Sequence, residues 1–290
     1  MAEGTVKQPF SFVHISDPQF GMYPVHGGVF QETRLYEKTI AHVNRLSPAF
    51  LVNTGDLVDV PGDEEQLTQA LRTARKLDKS IPSFTIPGNH DIADAPTTQT
   101  LDWYRSRIGK DWYSFDFGGW HFIGLNSCII AHGKRVAHEA KKQLDWLRHD
   151  LEGAGAAGNS RIVVFMHHPL FLNDPEEADH YFNIPRETRQ DYLDLFRKNG
   201  IRTIFAGHLH QNNSATDSSL DVVVTGPVGM PLGSGCSGFR IVTVHADHLE
   251  HKYVDLDGRA RATTDAAKRG GQVVRDSREG KPDVRFEEGG

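Results

Sequence analysis

Five short apolar runs, spread from residue 10 to residue 205, each break off into a polar residue able to bind a metal ion. Phe10–Ser16 leads into Asp17, with Gln19 close behind. Phe50–Asn53 leads into Gly55-Asp56. Phe84–Ile86 leads into Gly88-Asn89-His90-Asp91. Ile162–Met166 leads into His167-His168-Pro169, and Ile201–Phe205 into Gly207-His208-Leu209-His210. The runs are rich in Val, Ile and Phe, as strands covered on both faces are. Between them stand helical patterns. Glu32–Leu46 places Leu35, Ile40, Val43 and Leu46 on one stripe; Glu64–Leu77, His138–Leu151 and Arg186–Lys198 show similar spacing. This alternation predicts a layered α/β fold. Two regions depart from it. Trp112–Asn126 reads as a hairpin around Gly118-Gly119. From about Ser214 to Asp255 the chain reads mostly as strand: Asp221–Thr225, Phe239–His245 and Leu249–Val254, with a turn at Asp247-His248 between the last two.

In an open α/β sheet the carboxyl ends of the strands share a crevice, so all five endings can converge there. Each is weak alone. Gly-Asp is ordinary turn chemistry, and a lone histidine is more often a surface or core residue than a ligand. Gly-Asn-His-Asp closing a strand is much rarer by accident, and the ordered set is rarer still. Carboxylate, amide and imidazole donors together suit divalent first-row transition metals.

Composition narrows the partners. The chain has 290 residues and a formal net charge of −6, with no basic block, so nucleic acid is not an expected partner. No apolar run approaches the roughly 20 residues of a spanning helix, and Met1–Lys7 has no apolar signal stretch. No membrane partner is therefore expected, and the default location is cytoplasmic. Cys128 and Cys236 make no C-x-x-C pair and read as reduced thiols. Residues 1–257 fit one domain. Residues 258–290 are polar and Gly-rich, too poor in apolar side chains to offset their ordering entropy, and read as a disordered tail. Nothing bears on oligomeric state.

The order D-x-[HQ], G-D, G-N-H-[DE], H, G-H-x-H resembles the calcineurin-like metallophosphoesterases over about residues 10–255. Ser16-Asp17-Pro18-Gln19-Phe20-Gly21, His167–Leu172 and Tyr181-Phe182-Asn183 are similar to the CPPED-type subgroup, whose members begin D-P-Q-F-G. The resemblance implies a four-layer α/β/β/α sandwich and two divalent metal ions. Asp17, Gln19, Asp56 and His210 would bind the first, and Asp56, Asn89, His167 and His208 the second, with Asp56 bridging. His168 exchanges roles with His167 if the loop register differs. His90 would face the substrate phosphoryl group, with Asp91 orienting its ring. The implied activity is hydrolysis of a phosphomonoester, from a small molecule or a phosphoprotein, by in-line attack of a hydroxide held by the metals. Hydrolysis of a diester, such as a cyclic nucleotide or a glycerophosphodiester, is the alternative; a metal-bound scaffold with little turnover is a third reading.

Gln19 stands where the wider family carries His. Its amide oxygen is harder than an imidazole nitrogen, which favours Mn, Fe or Mg over Zn at the first position. Gly55–Asp59 lacks the tyrosine of purple acid phosphatases, which argues against an Fe(III)–tyrosinate centre. Among other candidates, Arg34 reads as a surface residue and His14 as a hydrogen-bonded core histidine. Trp112, Tyr113, Trp120 and Phe122 read as hairpin packing. The loops Pro24–Gly28, Asn173–Tyr181 and Gly226–Gly238 are candidate rims of the site, and the last is no P-loop because it lacks lysine.

Overall fold

The computed structural model describes residues 8–23, 29–159, 161–256 and 265–266. The chain opens with β1 (Phe10–Ile15), α1 (Phe30–Leu46), β2 (Leu51–Asn53), α2 (Glu64–Ala74) and β3 (Ser83–Thr85). The one-turn α3 (Asn89–Ile92) and α4 (Thr98–Arg107) lead to the hairpin of β4 (Tyr113–Phe117) and β5 (Trp120–Gly124). Then come α5 (Ser127–Ala131), α6 (Ala137–Ala156), β6 (Ile162–Phe165), α7 (Arg186–Lys198) and β7 (Thr203–Ala206). The remainder is strand: β8 (Asn213–Asp217), β9 (Leu220–Val224), β10 (Gly238–Val244), β11 (Leu249–Asp255) and β12 (Asp265–Ala266).

The strands form two six-stranded sheets, ordered β12-β11-β10-β1-β2-β3 and β4-β5-β6-β7-β9-β8. Both are mixed: β1-β2-β3 and β5-β6-β7-β9 run parallel, while β10, β11, β4 and β8 pair antiparallel with their neighbours.

The period-2 alternation of the strands builds the layers. In β1, Val13 and Ile15 join Leu35, Ile40 and Val43 of α1 and Leu67 and Ala70 of α2 in one apolar cluster. Phe12, pointing the other way, joins Phe50, Phe122, Phe165 and Phe205 between the sheets. In β6, Val163 and Phe165 face this seam, whereas Ile162 and Val164 pack with Leu147 and Leu151 of α6 and Leu193 and Phe196 of α7. Helix, sheet, sheet and helix are thus stacked as the expected four-layer α/β/β/α sandwich. Rings dominate the seam. Phe12 stacks on Phe50 with centroids 4.9 Å apart and meets Phe165 and Phe205 edge-on at 5.7 and 5.9 Å. Such pairs add about 0.5–1.5 kcal/mol each beyond the area they bury.

Element ends moved by at most a few residues from expectation, apart from α6, which runs five residues further to Ala156. α4 carried no expectation. Only Leu101 and Tyr104 on it are buried, too few for a clear stripe, and its start is fixed instead by a Thr97–Thr100 capping box. Trp120 and Phe122 lie in the seam and pack the core. Arg34 is exposed. His14 is buried, held by the hydroxyls of Thr54 at 3.0 Å and Thr225 at 2.8 Å, and burial keeps it well below the usual imidazole range. Both cysteines are free thiols. Among the described residues no helix is long and apolar enough to cross a membrane. The loop Pro24–Gly28 lies outside the described residues, as does the expected tail over 258–290 apart from Asp265–Ala266, which pair with β11.

Candidate metal centre

The site lies where loops from both sheets meet. β1, β2 and β3 deliver Asp17 and Gln19, Asp56, and Asn89; β6 and β7 deliver His167, His208 and His210. All seven side chains are buried or nearly so. The turns that aim them are strained. Among the described residues eight non-glycine positions have positive φ, and five are Asp17, Gln19, Asp56, His208 and His210. Such backbone persists only where surrounding structure enforces it, and it clusters at functional sites.

Close backbone packing supplies the enforcement. A side chain at Gly88 would place its Cβ 2.0 Å from Asp56 Oδ1, and one at Gly207 would lie 1.8 Å from Ser16 Oγ and 2.7 Å from Asp17 Oδ2. The glycines of Gly-Asn-His-Asp and Gly-His-x-His are therefore required by the neighbouring loop. The Asp17 carboxylate accepts the N–H of His208 with both oxygens, 3.2 Å each, so β1 of one sheet is bonded directly to the end of β7 in the other.

Two groups of donor atoms converge. Asp56, His167 and His208 offer ligand atoms within 4.8 Å of one another, and so do Asp17, Asp56 and His210. Asp56 belongs to both. His167 Nε2 lies 3.2 Å from Asp56 Oδ2, 3.0 Å from Asn89 Oδ1 and 3.2 Å from His208 Nδ1; His210 Nε2 lies 3.5 Å from Asp17 Oδ1.

The outer partners of these groups fix which atoms face inward. His167 Nδ1 donates to the carbonyl of Thr54 at 2.9 Å, His208 Nε2 to the carbonyl of Tyr181 at 3.0 Å, and His210 Nδ1 to the carbonyl of Met230 at 2.6 Å. Each ring's other nitrogen then faces the centre, where it can offer a lone pair once free of its proton. The Asn89 amide donates outward to Asp94 Oδ1 at 2.7 Å and Tyr181 Oη at 3.0 Å, which leaves Oδ1 facing in. Gln19 behaves likewise: its Nε2 donates to Asp59 Oδ1 at 3.1 Å.

Two acceptors, Gln19 Oε1 and Asp56 Oδ2, are buried without a hydrogen-bond donor. Buried polar atoms are rarely left so. Acceptors packed against acceptors are repulsive unless something positive lies between them, and these residues fit a pair of divalent cations. Protonation reflects the same demand. Burial pushes the His167 ring down, but the charge of Asp56 outweighs it and lifts the ring to about 9. His208, buried beside His167, falls to about 3 and stays neutral.

His168 does not join the centre. Ser127 Oγ accepts the N–H groups of His167 at 3.1 Å and His168 at 2.9 Å, and its hydroxyl donates to His168 Nδ1 at 2.9 Å. Of the two adjacent histidines, His167 is the one brought to the converging atoms.

The expected partnership of Asp91 with His90 is not what the structure shows. Asp91 stands at the third position of α3, and its carboxylate turns back to accept the N–H groups of Gly88 at 2.9 Å, Asp56 at 2.8 Å and Leu57 at 2.8 Å. Side chains one residue apart on a helix diverge, so the His90 ring points elsewhere. Its Nδ1 meets the carbonyl of Asp59 at 2.6 Å, and its backbone N–H donates to Asp56 Oδ1 at 2.9 Å. Burial lowers the ring's affinity for a proton, yet Asp56 and Asp59 more than compensate, so His90 lies above the ordinary imidazole value. Asp91 thus shapes the Asp56 loop, and Asp59 orients His90. Asp59 had a usable signal, a second acid three residues past Asp56; the Thr54, Tyr181 and Met230 carbonyls had none.

Both rim loops that the structure describes reach this centre. Gly226–Gly238 supplies the Met230 carbonyl, and the N–H of Gly229 donates to the carbonyl of Asp17 at 2.9 Å. The other supplies Tyr181, whose ring centroid lies 4.9 Å from that of His208.

A two-sheet sandwich whose facing loops surround a dicarboxylate, amide and imidazole centre defines a metal-dependent phosphoric ester hydrolase, and comparison with known proteins places it more closely. The calcineurin-like phosphoesterase family model matches residues 10–212, and the chain belongs to that family. It is 37% identical over 264 residues to the rat serine/threonine-protein phosphatase CPPED1, covering 86% of this chain and 85% of that protein. The human CPPED1 is 35% identical over 271 residues, covering 88% and 86%. Among solved structures, a dimetal phosphatase from Danio rerio superposes with a TM-score of 0.63 at 17% identity, over 85% of this chain and 96% of that one. A purple acid phosphatase from yellow lupin superposes with a TM-score of 0.64 at 17% identity, over 89% of this chain and 53% of that one. The chain is accordingly a calcineurin-like phosphatase with a divalent metal centre, acting on phosphate esters.

Proposed function

We propose that the chain is a dinuclear phosphomonoesterase acting on phosphoserine or phosphothreonine in protein segments. One cation is held by Asp17, Gln19, Asp56 and His210, and the other by Asp56, Asn89, His167 and His208. The observation that carries this reading is the pair of donor groups sharing Asp56, with Gln19 Oε1 and Asp56 Oδ2 left without donors. The substrate class is supported by the serine/threonine-protein phosphatases that the chain resembles at 35–37% identity.

When bound, two divalent ions supply the positive charge that neutralises phosphoryl oxygens and lowers the pKa of water. Two ions against Asp17 and Asp56 leave the centre near +2, which favours an anionic ester although the whole chain is acidic. The chain's own residues do the rest. The carbonyls of Thr54, Tyr181 and Met230 hold the three imidazoles in one tautomer. Asp91 fixes the backbone on either side of Asp56. His90, anchored through Nδ1 to Asp59, presents Nε2 as a donor toward a phosphoryl or leaving oxygen, and its raised proton affinity suits an acid. The preference of the hard Gln19 amide oxygen for Mn, Fe or Mg over Zn is part of the same proposal.

A phosphate-ester panel with metal replacement tests this. Phosphoserine and phosphothreonine peptides and p-nitrophenyl phosphate are expected to turn over faster than bis(p-nitrophenyl) phosphate, with Asp56→Asn and His208→Ala inactive yet folded. Diester preference would favour a phosphodiesterase, as a probable glycerophosphodiester phosphodiesterase from Arcobacter nitrofigilis, 29% identical over 177 residues, is named. No turnover with any metal would leave a binding scaffold.

A further inference from the structure

The turn joining β10 to β11 brings together a second set of donors, far from the centre above. Val244 pairs with Leu249 and Thr243 with Glu250, and the N–H of His245 donates to the carbonyl of His248 at 2.9 Å, closing the hairpin. The register therefore sets His245 opposite His248. Because side chains alternate along a strand, Thr243, His245, His248 and Glu250 all project from one face. Sequence spacing hides this, since the two histidines are three residues apart across a turn.

On that face the donors converge. The imidazoles of His245 and His248 are parallel, with centroids 4.3 Å apart and planes 4° from one another. The Glu250 carboxylate reaches both, with one oxygen 3.5 Å from His245 Nε2 and the other 3.8 Å from His248 Nε2. Ligand atoms of the three residues lie within 4.8 Å of one another. In a tetrahedral zinc site with bonds of about 2.0 Å, neighbouring ligand atoms are roughly 3.3 Å apart. Closure onto an ion requires the two stacked rings to rotate so that their in-plane lone pairs converge, a movement open to these partly exposed side chains.

Two further observations point to a cation. His248 Nδ1 meets Asp247 Oδ1 at 2.8 Å, which leaves its Nε2 on the side of the Glu250 carboxylate. A carboxylate behind a ligating histidine is the arrangement that orients imidazoles on metals. His245 Nε2 is buried and has no hydrogen-bond partner. The turn itself is pinned: Trp120 Nε1 donates to the carbonyl of His245 at 3.0 Å and Arg161 Nη1 to that of Ala246 at 3.1 Å.

We propose that His245, His248 and Glu250 form a separate site for one divalent transition ion of borderline softness, zinc foremost, with water at its open fourth position. Two imidazoles and a carboxylate match zinc's ligand preferences. The two charges of Glu250 and Asp247 balance the ion. The site is independent of the phosphatase centre: Val244 pairs with Phe10, at the start of β1, whereas Asp17 follows the other end, about 20 Å away along the strand.

Zinc titration of the full-length protein tests the assignment. The wild-type chain is expected to bind one zinc more than the His245→Ala/His248→Ala double variant, with p-nitrophenyl phosphate turnover unchanged between them. Glu250→Gln, a substitution at an exposed carboxylate that leaves the hairpin intact, is expected to weaken that zinc at least tenfold, and the ring resonances of His245 and His248 are expected to shift on its addition. Equal zinc stoichiometry in wild type and double variant, or unchanged affinity in Glu250→Gln, overturns the proposal.

Discussion

Asp17 and His208 are 191 residues apart, yet both oxygens of the Asp17 carboxylate accept the backbone N–H of His208. Asp17 closes β1 of one sheet and His208 follows β7 of the other, so this contact sets the spacing of the two halves of the centre. Asp17 therefore has a structural task as well as an assigned metal. Asp17→Ala is expected to lose metal and also to cost about 1–3 kcal/mol, because a buried N–H loses its acceptor. Asp17→Asn keeps an acceptor oxygen and is expected to recover most of that stability without recovering the metal. Urea unfolding of the metal-free variants beside metal analysis separates the two effects; equal stability of Asp17→Ala and wild type would remove the structural one.

His90→Gln is expected to lower kcat about a hundred- to ten-thousandfold while leaving metal content and fold unchanged. The ring is anchored on the Asp59 carbonyl rather than on an assigned ligand. Loss of metal from this variant would show that His90 holds the site together rather than acting on substrate.

Gln19→His exchanges an amide oxygen for an imidazole nitrogen in the first position. The variant is expected to retain more zinc after purification and gel filtration than wild type, because nitrogen ligands suit zinc better. Zinc held tightly by the wild-type protein would refute the preference assigned to Gln19.

A pH-dependent contribution to stability is expected from His121, which is clamped between Asp150 and Asp116 at 2.8 Å each. Burial lowers its pKa, but the bonds to Asp150 and Asp116 outweigh that and raise it above the ordinary 6.5. A raised folded value stabilises fully below the unfolded value and fades as pH climbs through the folded one. Asp150 is depressed: burial raises it, and the bonds to His121 and Ser114 outweigh that. Its share is present above the ordinary carboxylate value and is lost as pH falls through the lower folded one. The gap in Tm between wild type and His121→Gln is therefore expected to be widest near pH 5–6 and to shrink toward pH 9. A constant gap across that range would show that packing alone holds His121.

Much of the fold and centre was legible in sequence, for a local reason. Each assigned donor lies within a few residues of a strand's end, so finding the strands pointed to Asp17, Asp56, Asn89, His167 and His208. What was hidden depends on residues distant in sequence. Met230 and Tyr181 act through carbonyls, which every residue has, so no residue type marks them. Asp91 was assigned its partner through the family resemblance, whereas its carboxylate turns back to the Asp56 loop. The His245–His248–Glu250 face exists only once the β10–β11 register is known. α4 was missed because its start rests on a Thr97 cap rather than on an apolar stripe.

The assigned donors are divided between two sheets joined along a seam of phenylalanine rings. Neither half owns a complete set of ligands for either ion. A nascent or partly opened chain therefore cannot capture its cations in working order, and catalytic competence arrives only when the sheets have closed on one another. The same division would make the proposed ions a further link between the halves, beside the ring seam and the Asp17–His208 bond, so that their binding rewards the closed state over every looser one.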